Sequence, residues 1–312
     1  MKSTDTVLIT GASGFAGRQI ALDLHRRGCK VRAASRTTVV DFPPGLEQVA
    51  LPDLSGPFDG GKILEGMDYV VHLAGLAHSS KDQPDADYQV VNRDATVQLA
   101  IAAAAAGVSR FVFVSSVRAQ TGPSALNVLT EEDEARPSDA YGRSKLAAES
   151  LLTETLAGSH TSLTVLRPVL MYGPGVKGNM LTLSWLARTP WPLPLGGLIG
   201  RRSLLSLENF SSAIVHVLQS EIPCRGVYLV ADDQPVSVAE IIATLRAGLG
   251  RTPRVFTLNK RIATRVLSGL GRQKLVDRLF GDLIVSTAKL RATGWTPPQD
   301  TRSALAAALR AL

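Results

Sequence analysis

Cysteine and long apolar stretches are scarce in this chain. Its 312 residues include two cysteines, Cys29 and Cys224, which are too few for a disulfide framework and lack the spacing of metal ligands. No apolar run approaches the roughly 18 residues of a membrane-spanning helix, and the N-terminal residues contain no apolar signal-peptide core. We therefore expect a protein of the reducing cytoplasm that is not stably inserted in a membrane.

The charge of the chain is positive, with a net value of +7. The lysines and arginines are mostly scattered, which argues against a nucleic-acid partner. The basic stretch 260–278 is interleaved with aliphatic residues and predicts an amphipathic helix with a solvated face. Contact of this stretch with a membrane surface is the less favoured alternative. The acidic run 131–134 lacks the spacing of metal ligands, and no metal site is expected.

Short apolar runs alternate with helical patterns through the first half of the chain. Strands are expected at residues 6–10, 30–35, 69–74, 110–115 and 164–167, and helices at residues 15–27, 92–106 and 141–157. This alternation predicts an α/β fold with a Rossmann-type doubly wound parallel sheet. The amino-acid composition changes after Pro168, where glycine and proline become frequent. We expect a dinucleotide-binding domain at 1–168, joined by a returning segment near 204–232, and a smaller C-terminal α/β region for substrate at 169–312.

A glycine-rich loop follows the first predicted strand. Gly11 allows a tight turn, Gly14 allows the backbone to approach a pyrophosphate, and Gly17 allows the helix to pack closely on the sheet. The intervening residues are Ser13, Phe15 and Ala16. The helix that begins here directs free N–H groups and a positive dipole end at the phosphates. The position of the loop between a strand and a helix predicts a dinucleotide cofactor.

The end of the second predicted strand bears on the choice between NAD and NADP. An NAD site usually has an acidic residue there, whereas this chain has Ser35 and Arg36. An arginine can hold a 2′-phosphate, which favours NADP. NAD stays open as the alternative in which Arg36 stacks on adenine or points to solvent. Asp53 and Leu54 follow the third strand, and Asp53 is a candidate acceptor for the adenine amino group.

Tyr141 and Lys145 are four residues apart, so they share one face of a helix. A free tyrosine has a pKa near 10, and a nearby ammonium group is expected to lower it. Ser116 follows the strand predicted at 110–115, at the edge where α/β sheets place their sites. Its hydroxyl can position a substrate oxygen beside the phenol. These three residues predict a site that moves a proton to or from a hydroxyl or carbonyl.

Further motifs are spread over nearly the whole chain. They lie at 10–17, 72–75, 92, 114–116, 141–145, 167–168, 172–174, 202–209 and 294–297. With them the chain resembles the extended short-chain dehydrogenase/reductase superfamily, in its NAD-dependent epimerase/dehydratase branch. The resemblance implies that Tyr141 is the general base and acid, that Lys145 orients the cofactor ribose, and that Ser116 binds the reacting oxygen.

The same resemblance implies further binding residues. The cofactor site extends to Leu73, Ala74, Gly75, Asn92 and Pro168, with Asn92 bracing the active-site helix. Arg202 matches a position that binds the substrate diphosphate, and Asn179 is a candidate substrate contact. Arg278 is a second candidate for the diphosphate, although its spacing to Asp282 departs from the common pattern of the family.

Several reactions of this branch have to be weighed. Sugar dehydratases carry an Asp-Glu pair after the catalytic hydroxyl residue, whereas this chain has Val117 and Arg118, so dehydration is disfavoured. We expect an NAD(P)-dependent nucleotide-sugar 4-epimerase, similar to UDP-glucose 4-epimerase. The alternatives are an NADPH-dependent reductase of a nucleotide 4-keto-6-deoxy sugar, a hydroxysteroid or flavonol-type reductase, and a non-catalytic dinucleotide-binding sensor or scaffold.

The resemblance also implies an assembly and a pathway. The helices predicted at 92–106 and 141–157 form the dimer interface in similar enzymes, and the small alanine face of the first allows close packing. A homodimer that binds a nucleotide-diphosphate sugar is expected, with a role in polysaccharide biosynthesis.

Overall fold

The computed structural model describes residues 5–77, 84–176, 179–221, 224–257 and 281–310. The strands in these ranges are β1 (Thr6–Thr10), β2 (Lys30–Ser35), β3 (Glu47–Ala50), β4 (Tyr69–His72), β5 (Arg110–Val114), β6 (Ser162–Pro168), β7 (Leu170–Tyr172), β8 (Arg201–Arg202), β9 (Leu204–Ser206), β10 (Gly226–Val230) and β11 (Val236–Ser237). The α-helices are α1 (Phe15–Arg26), α2 (Gly61–Leu64), α3 (Asp85–Tyr88), α4 (Ala95–Ala105), α5 (Ala140–Thr155), α6 (Asn179–Arg188), α7 (Leu207–Gln219), α8 (Val238–Gly248), α9 (Ala288–Arg291) and α10 (Thr301–Arg310).

Seven of the described strands form one parallel sheet in the order β10-β6-β5-β4-β1-β2-β3. The chain leaves β1 towards β2 on one side and later returns to β4 on the other, so the strand order reverses at β1. In open α/β sheets, ligands bind at the carboxyl ends of the strands beside such a reversal. The predicted doubly wound parallel sheet is therefore confirmed, and its switch point places the glycine loop after β1 at the expected site.

The sheet is covered by apolar layers on both faces. Along β1, Val7 and Ile9 belong to one buried cluster and Leu8 to the other. Along β5, Val112 faces the first cluster and Phe113 the second. This alternation buries both faces of each strand, because successive side chains of a strand point to opposite sides. The sheet is thus a rigid base for the loops at its carboxyl edge.

The substrate-side part of the chain builds smaller units. β7 pairs with β9 in parallel, and β8 pairs with β11 in antiparallel orientation. A third buried cluster joins Tyr172, Met180 and Ile241. β10 lies beside β6 in the main sheet, although it follows α7 in the chain. The division of the chain at residue 168 stays a prediction, and the basic stretch 260–278 lies outside the described residues.

The predicted helix at 92–106 differs from the observed one. A π-helix occupies Gln89–Asp94 and leads into α4. Such π-helical turns often occur at functional sites, and this one contains Asn92. Among the described helices, none is long and apolar enough to cross a membrane.

Candidate active site

The glycine loop is tightly packed between β1, α1 and the end of β4. Gly11 has φ +72°, and a Cβ atom on it would lie 2.8 Å from the main-chain nitrogen of Ala74. A Cβ atom on Gly17 would lie 2.2 Å from the carbonyl oxygen of Gly11. Gly11 therefore needs the conformational freedom of glycine, and both positions need the absence of a side chain.

The N-terminus of α1 is open towards solvent. Gly14 is the N-cap in an extended conformation, and no described side chain caps this helix or places a carboxylate in its first turn. Ser13 and Gly14 are exposed, whereas Phe15 is partly buried and Ala16 is buried. The free N–H groups and the positive dipole end therefore face outward, as a pyrophosphate requires. These residues fit a dinucleotide.

The carboxyl ends of β2 and β3 lie at the other end of the predicted cofactor site. The Ser35 hydroxyl is buried and donates to the carbonyl of Thr37 at 2.7 Å. Arg36 and Asp53 are exposed. Hydrogen bonds from Ser55 lower the pKa of Asp53, and the positive charge of Arg36 adds to this shift. Arg36 and Asp53 are therefore close enough to interact electrostatically.

Leu54 lies next to this pair and is partly buried against the apolar cluster on one face of the sheet. Its side chain is apolar and therefore contributes no polar group at this edge of the sheet.

Asn92 ties the loop after β4 to α5. Its Oδ1 accepts from the main-chain nitrogen of Leu76 at 2.7 Å, and its Nδ2 donates to the Leu76 carbonyl at 3.2 Å and to Ser144 Oγ at 3.1 Å. A Cβ atom on Gly75 would lie 2.6 Å from Asn92 Oδ1. This brace fixes the backbone around Leu73, Ala74 and Gly75 relative to the active-site helix.

The structure brings Ser116, Tyr141 and Lys145 to the carboxyl edge of the sheet. The Ser116 hydroxyl is hydrogen-bonded to the Tyr141 phenol, and Ser116 Oγ accepts from the main-chain nitrogen of Arg118 at 3.1 Å. Lys145 Nζ donates to the Val114 carbonyl at 3.1 Å and lies 4.7 Å from the centre of the Phe113 ring. The three groups thus form one polar cluster on α5 and the end of β5.

Burial controls the protonation of this cluster. Desolvation raises the pKa of Tyr141 to about 12, and the hydrogen bond from Ser116 offsets only part of this rise. Burial also lowers the pKa of Lys145 to about 8, against the opposing effect of Glu149. The expected lowering of the Tyr141 pKa by Lys145 is not what this geometry gives. The ammonium group is engaged by the Val114 carbonyl, and desolvation of the phenol is the larger effect.

A buried ion pair lies behind Lys145. Arg167 Nε donates to Glu149 Oε1 at 3.0 Å, and Arg167 Nη1 donates to Gln120 Oε1 at 3.1 Å. The Ser115 hydroxyl also donates to Glu149. Sequence reasoning missed this network, although Glu149 follows Lys145 by one helical turn on the same face. Its contacts hold α5, β6 and the loop after β5 together beneath the site.

Arg118 and Asp139 form a second ion pair at the N-terminus of α5, and Arg118 Nη2 also donates to Ser138 Oγ at 3.1 Å. Asp139 is the N-cap of α5, and its Oδ1 accepts from the main-chain nitrogen of Gly142 at 2.8 Å. Sequence reasoning considered Arg118 only as a residue that cannot act as a base. The structure shows that it connects the Ser116 loop to the helix turn that bears Tyr141.

His72 is fully buried at the end of β4. Its Nδ1 is hydrogen-bonded to Thr10 Oγ1 at 2.7 Å, and its Nε2 to Thr96 Oγ1 at 3.0 Å. Burial and the charge of Lys145 lower the pKa of His72 to about 3, so the ring is neutral. The Thr10 hydroxyl also accepts from the Ala74 nitrogen at 3.2 Å. His72 therefore connects β1, β4 and α4 within the core and does not face substrate.

The remaining predicted residues are one cofactor residue, Pro168, and three substrate residues, Asn179, Arg202 and Arg278. Pro168 is buried at the end of β6. Arg202 lies in β8 and its Nη2 donates to the Pro123 carbonyl at 2.9 Å, which places it against the segment that follows Ser116. Asn179 is the first residue of α6. Arg278 lies outside the described residues.

The chain is similar in sequence to one protein family and to individual proteins of known activity. A sequence model of the NAD-dependent epimerase/dehydratase family matches residues 7–231. A UDP-glucose 4-epimerase from Vibrio cholerae is 32% identical over 306 residues, which cover 96% of this chain and 92% of that protein. A 3-diazoavenalumate denitrifying reductase from a Streptomyces species is 30% identical over 304 residues, which cover 93% of this chain and 95% of that protein.

Solved structures share the fold over nearly the full length. The structure of MoeE5 in complex with UDP-glucuronic acid and NAD has a TM-score of 0.76 and 25% sequence identity to this chain, and covers 98% of both chains. The matches in sequence and in structure thus both cover nearly the whole chain.

Proposed function

Because this chain belongs to the NAD-dependent epimerase/dehydratase family, and is thus an NAD-dependent enzyme of the extended short-chain dehydrogenase/reductase class, we propose that it is a nucleotide-sugar 4-epimerase. The observation that carries this proposal is the hydrogen bond between Ser116 and Tyr141, one helical turn from Lys145. The similarity to a UDP-glucose 4-epimerase over 96% of the chain supports the choice of sugar nucleotide.

Tyr141 is the residue that moves the proton at the C4 oxygen of the sugar. It can receive this proton only as the phenolate, which the Ser116 hydrogen bond and the charge of Arg118 favour and burial opposes. Ser116 holds the C4 oxygen beside the phenol. When bound, NAD supplies the ring that accepts the C4 hydride and returns it. Tyr141 gives its proton back to the C4 oxygen when the hydride returns to the other face of the sugar.

The remaining site residues hold the two ligands. The open N-terminus of α1 and the loop from Gly11 to Gly17 would bind the pyrophosphate of the cofactor, and Lys145 would bind its ribose. Arg202 would bind the diphosphate of the substrate, with Asn179 as a further contact. Arg278 is proposed for the diphosphate as well.

Dehydration of the sugar is not supported by this site. The two residues that follow Ser116 are Val117, which is buried, and Arg118, which pairs with Asp139. Neither side chain carries the carboxyl group that would remove a proton from C5 or protonate a leaving hydroxide, because one is apolar and the other is a guanidinium group. The reaction therefore ends with a hydroxyl at C4.

The cofactor found in the purified protein tests this proposal. We expect denaturation to release about one NAD per chain, detected by mass spectrometry, because an epimerase recycles its hydride and has no need to exchange cofactor. The protein would be expected to keep NAD in the Tyr141→Phe variant, since the phenol is not part of the pyrophosphate cradle. A protein that binds neither NAD nor NADP would overturn the proposal.

A second function is favoured by Arg36. This exposed arginine directly follows the second strand, where an NAD site usually has a carboxylate. It suits the 2′-phosphate of NADPH and hence a reductase of a nucleotide 4-keto-6-deoxy sugar. Purified protein without bound cofactor that is stabilised by NADPH and not by NADH would favour this reductase.

A homodimer is part of the proposal. Ile101 on α4 is 55% exposed, and Leu146, Ala147 and Leu151 on α5 are partly exposed. These apolar residues are available for packing against the same helices of a second copy. Light scattering at micromolar concentration is expected to give twice the mass of the chain, and a monomer would contradict this assembly.

A further inference from the structure

A cavity of about 350 Å³ lies at the C-terminal end of α8. It is formed by three segments: the residues that follow α6, the last turn of α8 and the loop after α8. The lining residues are Thr189, Pro190, Arg246, Arg251, Thr252 and Arg254. This part of the described chain thus contributes three arginines to the cavity wall and no carboxylate.

Arg246 is buried beside this cavity without a counter-ion. Its side chain is 1% exposed and forms no ion pair with a carboxylate in the described ranges. Nη1 donates to the Pro253 carbonyl at 2.7 Å and Nη2 to the Trp191 carbonyl at 2.8 Å, while Nε is buried with no hydrogen-bond partner within those ranges. A buried cation that is matched only by neutral oxygen atoms is costly, and a nearby anion would offset that cost.

The two other arginines are exposed and add to the positive charge. Arg251 donates to the carbonyl of Arg188, so its position is fixed while most of its donors stay available. Arg254 has φ +42°, in the left-handed region that non-glycine residues rarely adopt. Burial and the charges of Arg251 and Arg254 lower the pKa of Arg246. Three guanidinium groups therefore repel one another around one cavity.

We propose that this cavity binds a phosphate group. Arg251 and Arg254 would donate directly to the phosphate oxygens, because a planar guanidinium group matches them with paired donors. The hydroxyl of Thr252 would complete the donor set. Arg246 would contribute its charge from behind the cavity wall. The cavity is large enough to hold either free phosphate or a phosphate monoester.

This site is separate from the position assigned to the substrate diphosphate. Arg202 pairs with Val236 in the β8–β11 ladder, and α8 begins directly after β11 at Val238. Arg246 is eight residues farther along α8, which is about 12 Å along the helix axis. The phosphate site therefore does not depend on the proposed epimerase reaction or on the nucleotide of its substrate.

The thermal stability of the full chain in inorganic phosphate tests the site. Melting temperatures are measured in phosphate and in chloride at equal ionic strength, for the natural protein, for the Arg251→Gln/Arg254→Gln variant and for Arg225→Gln. Arg225 is exposed and lies outside the cavity, so it is the matched control. The open N-terminus of α1 at the glycine loop is expected to bind phosphate as well, so the readout is the difference in phosphate response between the proteins.

The proposal expects phosphate to stabilise the natural protein and Arg225→Gln at the same concentrations. The Arg251→Gln/Arg254→Gln variant should need at least about tenfold more phosphate, because charge-assisted hydrogen bonds are lost. Since both arginines are exposed, the variant is expected to fold, and each single variant should show an intermediate response. The proposed phosphate site would be overturned if phosphate raised the melting temperatures of all the proteins equally, or raised none of them.

Sedimentation with lipid vesicles identifies the source of the phosphate. If the site takes a lipid headgroup, the natural protein should sediment with phosphatidylcholine vesicles that contain phosphatidic acid, and the Arg251→Gln/Arg254→Gln variant should sediment less. If the site takes a soluble phosphate, the two proteins should sediment equally while their melting temperatures in phosphate still differ.

Discussion

Gly142 lies directly against the main chain of Arg118: a Cβ atom on Gly142 would be 2.2 Å from the Arg118 carbonyl oxygen. The first turn of α5, which bears Tyr141, therefore rests on the segment that bears Ser116. The side chains of Arg118 and Asp139 form an ion pair that joins the same two segments. The distance between the Tyr141 phenol and the Ser116 hydroxyl thus depends on the absence of a side chain at Gly142.

Replacement of Gly142 by alanine is expected to separate these two groups. The added methyl group has to displace either α5 or the Ser116 loop, and overpacking of this kind costs about 1–3 kcal/mol in the free energy of unfolding. Turnover should fall by about 100-fold, since small displacements of catalytic groups are costly. Gly56→Ala is the control, because nothing lies within 4 Å of a Cβ atom there. Full activity of Gly142→Ala would disprove the close contact.

Removal of the Glu149 carboxylate is expected to leave Arg167 as an unpaired buried charge. Glu149→Gln should lower the free energy of unfolding by about 3–5 kcal/mol, measured by chemical denaturation. Glu149 also raises the pKa of Lys145, so the variant should shift the pH dependence of activity to lower pH. Glu154→Gln on the exposed side of α5 is the control and should change neither quantity.

The double variant Glu149→Leu/Arg167→Met separates the cost of the unpaired charge from the cost of lost packing. It should recover much of the stability that Glu149→Gln loses, because both charges are removed together. A double variant as unstable as Glu149→Gln would show that the ion pair is not the reason for the loss.

His72 should make the protein less stable in mild acid. Its pKa is lowered from 6.5 to about 3 in the folded state, so the unfolded chain binds a proton first as the pH falls. The free energy of unfolding is unaffected by this group above pH 6.5 and decreases below it, by about 1.4 kcal/mol at pH 5.5. Chemical denaturation at pH 7.5 and 5.5 measures this loss, which His72→Gln should lack. Equal losses in both proteins would contradict the buried neutral ring.

Arg36 is expected to determine how tightly the protein binds the 2′-phosphate of NADP. Arg36→Ala should weaken NADP binding by about tenfold or more, since a charge-assisted hydrogen bond is lost, and should leave NAD binding nearly unchanged. Arg27→Ala, at the opposite end of α1 from the glycine loop, is the control. If Arg36→Ala binds both cofactors as the natural protein does, Arg36 points to solvent and the preference for NADP fails.

The features that local sequence determines could be predicted well. The predicted bounds of β1 and β2 match the observed Thr6–Thr10 and Lys30–Ser35, because the buried side chains of both strands are concentrated in short local segments. The loop from Gly11 to Gly17 could be recognised from the sequence, because local steric limits explain why glycine is needed at these positions. The spacing of Tyr141 and Lys145 was sufficient to place both on one face of α5.

The features that depend on distant contacts could not be predicted. The partners of Glu149 are separated from it by 18 and 34 residues, and no local pattern shows that they meet. The π-helix around Asn92 forms where its side chain reaches Leu76 and Ser144. The pKa of Tyr141 was misjudged for the same reason: sequence spacing shows a nearby ammonium group, but only the folded structure shows how far the phenol is desolvated.

The most direct test of the proposed epimerase is the conversion of UDP-glucose without added cofactor, followed by NMR of the sugar protons. The account predicts an equilibrium mixture with UDP-galactose, reached with no net oxidation or reduction. Tyr141→Phe should reach it about 100-fold to 10,000-fold more slowly. Equally fast conversion by Tyr141→Phe would contradict the proposed epimerase mechanism. The epimerase assignment would also be contradicted if the purified protein left UDP-glucose unchanged but reduced a nucleotide 4-keto sugar with NADPH.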